Sequence, residues 1–531
     1  MANIITRRKF VQALGFAPFF LNGVYGKAFG RSNMIANAIS KMSDRCVILV
    51  RLPGGNDGLN NIVPINQYNY YKTDVAALRP TIGLPNVGQT GGLINLDATL
   101  SINDQVGFHP SLQGFKDLYD IGKMNLVQGV GYTQQNFSHF KSTDLWLTGG
   151  DGTQANFNIP DGWMARYLEA NFPNYNGSPT TNMPDPLGIQ LGDVQPSTGF
   201  HSEAQHAVEI NLSGQDPAGF YTLISSIGGQ PLQNIPAGEY GDELSYIMNV
   251  EQSVSNYSQR ISSVFNKMGN VNTISYPNTT LANQLKTVAR LLNGGSKTKV
   301  FLTTMSSNFD THSAQVVSGA TNTGNHANTL SQLSQAIKTF MTDINNMGLG
   351  NNVIMATFSE FGRKAKENGT FGTDHGTLSP IFVFGNGVRA GVTGTNVDLS
   401  PTAISNGQLT KMLGGGINDY RQVFTTILQD WLGADQNIIN STLFGNYLNQ
   451  KLNIIDKCNV PLAANSLGVD VPVSAGTQTF KAAGTLIGSN LVSGNATKVA
   501  FKAGQSVTLS PGFKADSGTT FTATVETCVS N

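Results

Sequence analysis

Acidic, hydroxyl and imidazole side chains stand at the ends of short apolar runs in this sequence of 531 residues. Carboxylates and neutral imidazoles bind divalent metal ions, and a hydroxyl group at a helix start can act as a nucleophile. Such a set suits metal-dependent hydrolysis of esters. The predicted metal ligands are Asp57, Asp310, His312, Glu360 and His375, and the predicted catalytic pair is Ser138 and His139.

Each of these side chains also has an ordinary structural explanation. Asp57, in a Gly-rich turn, can bond its own backbone, and Ser138 can serve only as a helix N-cap. Glu360 can form an ion pair with the nearby Arg363. The joint pattern still favours a site, because only seven histidines occur and the others lack this context. We expect four histidines to be structural or on the surface: His109, His201, His206 and His326.

The elements that must position these side chains follow from hydrophobic periodicity. Short apolar runs bounded by glycine or polar loops, typical of strands buried on both faces, occupy residues 46–52, 124–132, 299–307, 353–360 and 380–385. Helical periodicity alternates with them at residues 241–268, 280–294, 328–346 and 420–433. This alternation predicts an α/β fold with a doubly wound, mostly parallel sheet. Loops at the carboxyl ends of its strands share one crevice, where we expect the predicted ligands to meet.

The composition and the N-terminus indicate an exported protein without a nucleic-acid partner. Charged residues make up 12% of the chain, and 33 basic residues balance 33 acidic ones. The pair Arg7-Arg8 precedes an apolar run that is too short to span a membrane, a pattern that resembles a twin-arginine export signal. We therefore expect a signal peptide at residues 1–38, no transmembrane span in the mature chain, and a location in the periplasm or at the cell surface.

The mature chain divides into two predicted parts. We expect an α/β domain at residues 45–457, a linker at 458–474 and a small all-β module at 475–531, where short alternating runs are punctuated by glycine. The module suggests attachment or interaction more than catalysis. Cys46 is expected to lie in the core, while Cys458 and Cys528 either form one disulfide or stay reduced.

A set of motifs appears in the order typical of one bacterial family, between about residues 45 and 435. The motifs are VRLPGGNDGLN, NFSHFKSTDLW, GWMARYL, FDTH, TFSEFGR, GTDHGT and DYRQVFTTILQDWLG. The chain therefore resembles the twin-arginine-exported family known as domain of unknown function 1501, a distant relative of alkaline phosphatases and sulfatases. This resemblance implies an alkaline-phosphatase-like fold and a site for one or two divalent ions, of zinc, manganese, magnesium or calcium. The C-terminal module is similar to the coathanger-stack modules of secreted Bacteroidetes proteins.

The resemblance also implies a role for single residues. Asp57 resembles the acid that follows the first strand, Ser138 the nucleophile, and His375 the late histidine, with Asp374 as its orienting partner. Two arginines, Arg363 and Arg166, would assist an anionic group.

The chain departs from the pattern of that superfamily at two places. Asp310 and His312 are two residues apart instead of one helical turn, and no histidine adjoins Glu360. In addition, no Cys or Ser stands in the consensus from which sulfatases make formylglycine, so a standard sulfatase mechanism is not expected.

Two functions stay open at this point. The first is an exported metal-dependent hydrolase acting on phosphate or sulfate esters, with an anionic small molecule or glycan as substrate. The second is a catalytically degenerate envelope or cell-surface binding protein that keeps the fold and uses the β module as an anchor. Ligands at every predicted strand end favour the first, and the irregular ligand set favours the second.

Overall fold

The computed structural model describes residues 44–456 and 466–525, except 174–176, 182, 194–196, 203–208, 214–216, 218–236, 239–240, 242–255, 470–471, 483–484 and 505. These residues form two compact units, 44–456 and 466–525. Several predictions lie outside the described residues: the signal peptide at 1–38, the disulfide between Cys458 and Cys528, His206, and much of the helix expected at 241–268.

The first unit contains, in its described residues, sixteen strands and eight α-helices of which both ends are described. The strands are β1 (Cys46–Leu52), β2 (Ile62–Pro64), β3 (Ile94–Asn95), β4 (Val106–Phe108), β5 (Met124–Gly131), β6 (Gly188–Leu191), β7 (Glu209–Asn211), β8 (Val300–Thr304), β9 (Val353–Ser359), β10 (Gly362–Arg363), β11 (His375–Gly376), β12 (Ser379–Phe384), β13 (Gly391–Thr393), β14 (Ile404–Ser405), β15 (Gln408–Leu409) and β16 (Asn418–Asp419). The helices are α1 (Gly58–Asn61), α2 (Gln113–Asp120), α3 (His139–Thr148), α4 (Trp163–Asn171), α5 (Thr280–Gly294), α6 (Asn325–Asn346), α7 (Tyr420–Thr426) and α8 (Gln436–Ser441). Residues 256–265 are also helical.

A nine-stranded sheet forms the centre of this unit, in the order β13-β5-β12-β9-β1-β8-β6-β7, with β16 added beside β5. All neighbouring strands in it run parallel except β12, which is antiparallel to both β5 and β9. The predicted α/β fold with a mostly parallel sheet is therefore confirmed. The connection from β9 to β12, residues 360–378, contains the antiparallel pair β10-β11 and no crossover helix, which fits the reversal of β12.

Helices cover both faces of the sheet. Val383 of β12 pairs with Ala356 of β9, so Phe358 and Phe382 point to opposite faces. On one face the ring of Phe358 lies 5.7 Å from Trp146 of α3, and on the other Phe382 lies 4.9 Å from Phe115 of α2. The strands β1, β5, β9 and β12 are almost wholly buried, as expected for a sheet sandwiched between helices.

The second unit is a stack of three parallel β coils. Its strands are β17 (Ser466–Val469), β18 (Thr477–Ala482), β19 (Thr485–Gly488), β20 (Leu491–Val492), β21 (Lys498–Ala503), β22 (Ser506–Leu509), β23 (Lys514–Ala515) and β24 (Thr520–Val525). They pair in parallel as β17-β19-β22, β18-β21-β24 and β20-β23. Phe501 lies at the centre, with its ring 5.5 Å from Phe480 and 5.0 Å from Phe521.

The length and hydropathy of the helices show whether any of them could cross a membrane. Across the described ranges, no helix is both long and apolar enough to pass through a lipid bilayer.

Two histidines outside the predicted ligand set are buried in the first unit. The Nδ1 atom of His109 accepts a hydrogen bond from the Ser111 amide, and the Nε2 atom of His326 donates to Asn61 at 2.8 Å. Their rings are 6.0 Å apart. Burial lowers the pKa of His109 to about 3 and that of His326 to about 4, so both imidazoles are neutral in the folded protein near pH 7.

These lowered pKa values predict a loss of stability in acid. Between the ordinary pKa of 6.5 and about 4, the unfolded chain binds protons that the folded imidazoles do not bind. The free energy of unfolding should therefore fall as the pH decreases through this window. His109→Asn keeps the acceptor for the Ser111 amide and should reduce the slope by up to about 1.4 kcal/mol per pH unit.

Urea unfolding at several pH values, followed by tryptophan fluorescence, measures this slope. All three tryptophans, Trp146, Trp163 and Trp431, belong to the first unit, so the signal reports on that unit alone. His201→Asn, at a half-buried histidine beside Asp161, is the matched control. Equal slopes for His109→Asn and the wild-type protein would contradict the prediction.

Candidate functional site

The loops after β1 and β9 lie side by side because these strands are parallel neighbours, with Leu52 paired to Ser359. Glu360 directly follows β9, and its Oε1 atom accepts a hydrogen bond from the Gly54 amide at 2.6 Å. Gly54 has a φ of 101°, and a Cβ atom there would lie 2.4 Å from the amide nitrogen of Asp310. Glycine thus lets the loop after β1 approach the loop that carries Asp310.

Three predicted site residues form a compact group of potential metal ligands. One ligand atom from each of His139, Asp310 and His375 lies within 4.8 Å of the other two. The Nε2 atom of His139 is 3.6 Å from Asp310 Oδ2, and the Nε2 atom of His375 is 3.4 Å from Asp310 Oδ1. Metal–ligand bonds of 2.0–2.1 Å in a tetrahedron would separate ligand atoms by about 3.4 Å. The observed spacing therefore suits a metal ion.

His312 stands at the edge of this group. Its Nε2 atom is 3.1 Å from Asp310 Oδ1 and 2.9 Å from the Nε2 atom of His375. Its side chain is 45% exposed, more than that of His139 or His375. His312 thus contacts the group from the solvent side, where a further ligand could stand.

The Nδ1 atoms of the imidazoles face hydrogen-bond acceptors. Nδ1 of His139 is 3.0 Å from Glu360 Oε1, and Nδ1 of His375 is 2.8 Å from the carbonyl oxygen of Phe137. Nδ1 of His312 faces Asp374 Oδ1 at 3.5 Å. A proton on Nδ1 of each ring would satisfy these acceptors and would leave a lone pair on Nε2.

The Nε2 atoms of all three imidazoles lie within 3.6 Å of a carboxylate oxygen of Asp310. Such a cluster of electron-rich atoms is repulsive unless a cation lies among them, and this is the chemistry of a metal centre. The Oε2 atom of Glu360, a residue only 2% exposed, is buried beside the group without a hydrogen-bond partner. An orphaned acceptor at this place also fits a bound cation.

The electrostatics of the group are mutually consistent. The hydrogen bond to Glu360 raises the pKa of His139, whereas burial lowers the pKa of His375 and keeps it neutral. Burial alone would raise the pKa of Asp310, but the Arg363 guanidinium outweighs burial and lowers it. Asp310 is therefore a carboxylate, and His375 a neutral imidazole, near pH 7.

The structure places Asp57 apart from this group. Both of its oxygens face Arg79, at 2.5 and 2.8 Å, and both side chains are fully buried. Gln315 donates a further hydrogen bond to Asp57. Burial would raise the pKa of Asp57, but Arg79 outweighs it and the pKa is lowered. The carboxylate predicted to hold a metal is thus already neutralised by a guanidinium.

The two arginines predicted to assist an anion donate hydrogen bonds to other groups of the protein. Arg363 is fully buried and donates to Asp310 and to the carbonyl oxygens of Gly54, Gly55, Phe309 and Thr373. Arg166 donates to the carbonyl oxygens of Asp161, Thr148 and Thr442. These bonds hold loops in place, and a role of either arginine in assisting an anion stays a prediction.

Asp374 orients a different histidine from the one expected. Its carboxylate faces His312 and also accepts from Asn368 and Lys364, at 3.2 and 3.4 Å. His375 takes its orientation from the Phe137 carbonyl instead. Asp374 directly precedes β11, and its side chain faces different neighbours from that of His375.

Ser138 is the N-cap of α3, and its Oγ atom accepts from the Lys141 amide at 3.5 Å. The residue is exposed and stands between Phe137, whose carbonyl contacts His375, and His139. Below it, the Oγ atom of Ser142 contacts the hydroxyl of Tyr132 at 2.6 Å and donates to the Glu360 carbonyl at 2.7 Å. These bonds fix the start of α3 against the loop after β9.

Three residues that contact the predicted site residues are not among the residues predicted from the sequence. Arg79 lies 22 positions after Asp57 in an ordinary loop, and Gln315 reaches Asp57 across 258 positions. Phe361, only 2% exposed, packs under the imidazoles, with its ring 5.0 Å from His139 and 4.6 Å from His375. Only the position of Phe361, next to Glu360, could have suggested its role.

The buried ion pair predicts a large loss of stability when Arg79 is removed. Arg79→Met leaves the Asp57 carboxylate buried without its cation, which should lower the free energy of unfolding by about 3–5 kcal/mol. Adding Asp57→Leu should restore part of it, because the uncompensated charge is then gone. Lys116→Met is the control, since it breaks an exposed pair with Asp120 and should cost less than about 1 kcal/mol. Equal urea midpoints for Arg79→Met and Lys116→Met would refute this prediction.

Comparison with known families gives one partial match. A family model described as "Protein of unknown function (DUF1501)" matches residues 253–443. The matched segment contains Asp310, His312, Glu360 and His375, whereas Asp57, Ser138 and His139 lie before it. No curated protein sequence matches the chain.

Solved structures share parts of the architecture at low sequence identity. Ps i-CgsB, in complex with k-i-k-neocarrahexaose, has 9% identity and a TM-score of 0.33, over 77% of each chain. The lipoteichoic acid synthase LtaP from Listeria monocytogenes has 9% identity and a TM-score of 0.30, over 67% of this chain and 73% of that one. The PsFucS1 sulfatase from Pseudoalteromonas sp. has 11% identity and a TM-score of 0.28, over 77% and 73%. The chain is thus similar to the DUF1501 family over residues 253–443 and, distantly, to these structures.

Proposed function

We propose that this protein is an exported hydrolase of phosphate or sulfate esters that works with one divalent metal ion. The ion would be held by His139, Asp310 and His375, with His312 at its open side. The observation that carries the proposal is the convergence of imidazole Nε2 atoms on a carboxylate, each imidazole turned by an acceptor at its Nδ1 atom.

The ligand set favours some ions over others. Magnesium and calcium prefer oxygen ligands, whereas imidazole suits zinc and other transition ions. Three imidazoles and one carboxylate thus favour a zinc-type ion. A second ion is not part of the proposal, because the Asp57 carboxylate that would bind it pairs with Arg79.

The chemistry that a bound divalent ion supplies is Lewis-acid stabilisation of negative charge on an ester. The chain's own residues would do the rest. The Ser138 hydroxyl oxygen, exposed beside His139, would bond to phosphorus or sulfur as the alcohol oxygen leaves with its electron pair and takes up the serine proton. Water would then cleave the Ser138 ester and release phosphate or sulfate. The first amide groups of the ten-residue helix α3 lack acceptors within the helix and favour an anionic group at that end.

The other parts of the chain fit an exported hydrolase. Residues 1–38 would direct export through the twin-arginine route to the periplasm or the cell surface. The β coils of residues 466–525 would attach the protein there, leaving the α/β unit to act on anionic small-molecule or glycan esters. A binding protein without turnover is the alternative function, and it is favoured by one observation, the use of the Ser138 hydroxyl as a helix cap.

Metal content tests the centre directly. The purified protein should carry about one zinc-type ion per chain, measured by mass spectrometry of the metals. His375→Ala should abolish stoichiometric binding, because it removes a ligand. Glu360→Gln should weaken zinc binding by about 10- to 100-fold, because it weakens the partner of His139. His201→Ala, at a histidine outside the group, should bind as the wild-type protein does; no metal in any of the four proteins would refute the centre.

The nucleophile is tested separately by two substitutions at one position. Ser138→Ala removes both the hydroxyl and the helix cap, whereas Ser138→Asn keeps a capping side chain without a hydroxyl. Both should lower the hydrolysis of phenyl phosphate or phenyl sulfate on the order of 10³-fold with unchanged metal content. Full turnover by Ser138→Asn would show that the hydroxyl does not react, and a metal-loaded wild-type protein without turnover would support the binding protein instead.

A further inference from the structure

Exposed phenylalanines occur in the segments that adjoin the His/Asp group. Within the part of the chain that the structure describes, only three phenylalanines are exposed: Phe137 at 40%, Phe140 at 87% and Phe371 at 41%. Other exposed large apolar side chains are aliphatic and scattered along the chain. Exposed aromatic rings are unfavourable in water, so their confinement to one place indicates a binding surface.

Each of the three phenylalanines lies in a segment that carries or contacts one residue of the group. The Phe137 carbonyl accepts from Nδ1 of His375, and its ring lies 6.4 Å from Phe361, which packs on His375. Phe140 follows His139 in the first turn of α3, where the Cβ atom is tilted toward the N-terminal end of the helix. That end of α3 also carries Ser138 and His139, and Phe140, 87% exposed, is available to a ligand bound at this end of the helix.

Phe371 is held near His312 by the backbone of its loop. Its carbonyl accepts from the Gln315 amide at 2.9 Å, and the Thr370 hydroxyl beside it donates to the His312 carbonyl at 2.6 Å. Phe371 has a φ of 55°, and Ala314 across the pairing has a φ of 49°. A left-handed conformation is costly for an aromatic residue, and such strain is typical of functional sites.

We infer that these three phenylalanines form a platform for a substrate whose alcohol part is a ring with an apolar face. This inference rests on the proposed function, since the ester group would lie at the His/Asp centre while its ring packs on the phenylalanines. Aromatic side chains bind such faces by stacking and edge contacts. Phe137 and Phe140 stand at the start of α3 and Phe371 stands on a different loop. The exposed polar Ser138 and Thr370 adjoin them, which suits a ring with polar edges better than a long acyl chain.

Equilibrium binding separates this inference from turnover. Zinc-loaded full-length Ser138→Ala, which lacks the proposed nucleophile, is titrated by calorimetry with phenyl phosphate, glucose 1-phosphate and methyl phosphate. The three probes share the phosphate and differ in the ring. A ring-bearing phosphate should bind about 10-fold or more tightly than methyl phosphate, since each aromatic contact is worth about 2- to 10-fold.

Substitution of the platform should remove this preference. In the same background, Phe137→Ala, Phe140→Ala and Phe371→Asn should each reduce the preference for a ring by about 2- to 10-fold while binding of methyl phosphate stays unchanged. Asparagine is chosen at position 371 because it tolerates a positive φ. Ile121→Ala, at another exposed apolar residue, should keep the full preference.

The outcomes show which kind of ring is bound and whether the inferred platform exists. A gain for glucose 1-phosphate identifies a sugar ring, and a gain for phenyl phosphate alone identifies an aryl ring. Equal binding of all three probes, or a ring preference that all three phenylalanine variants retain, would overturn the platform. If the zinc-loaded wild-type protein shows no turnover while Ser138→Ala still prefers ring-bearing phosphates, the proposed hydrolase activity is wrong and the phenylalanine platform is supported.

Discussion

Two buried guanidinium groups hold the loops on which the site depends. Arg79 pairs with Asp57 and donates to the carbonyl oxygens of Lys364 and Ala365, while Arg363 donates to four carbonyls and to Asp310. Loops lack the repetitive hydrogen bonds of strands and helices, so their buried carbonyls need other donors. Arginine, with five N–H groups in a rigid plane, satisfies several at once. The loops after β1 and β9 are thereby fixed relative to the loop that carries Asp310.

The same two arginines decide how much negative charge remains for a cation. Asp57 is fully paired, and Asp310 shares one oxygen with Arg363, so the other oxygen of Asp310 faces His139. One oxygen of Glu360, Oε1, contacts both the Gly54 amide and the Nδ1 atom of His139. The group therefore offers neutral imidazoles with limited charge, a combination that suits one zinc-type ion better than two.

The sequence predicted the strands and the edge where the site lies, because both follow from local patterns. The run 46–52 is β1 itself, and the runs at 124–132, 353–360 and 380–385 differ from β5, β9 and β12 by one residue at either end. The sequence did not show which polar side chains contact one another. Asp374 was assigned to its neighbour His375 but faces His312, and Arg79 bonds Asp57 through tertiary packing that no motif marks. The parallel coils of residues 466–525 were likewise expected only as alternating β runs, since coil stacking depends on contacts about 20 residues apart.

Consecutive residues at the start of α3 connect several groups of the candidate site through the backbone. Three consecutive residues there supply the carbonyl that turns His375, the exposed hydroxyl, and the imidazole of His139. Tyr132 and Ser142 bind this segment to Glu360 from below, because the Tyr132 hydroxyl accepts from the Asn136 amide while contacting Ser142. Any displacement of the helix start would thus move the hydroxyl and two imidazoles together. Rigid coupling of this kind keeps a reacting group and its electrostatic partners in register, which is the condition that catalysis by positioning requires.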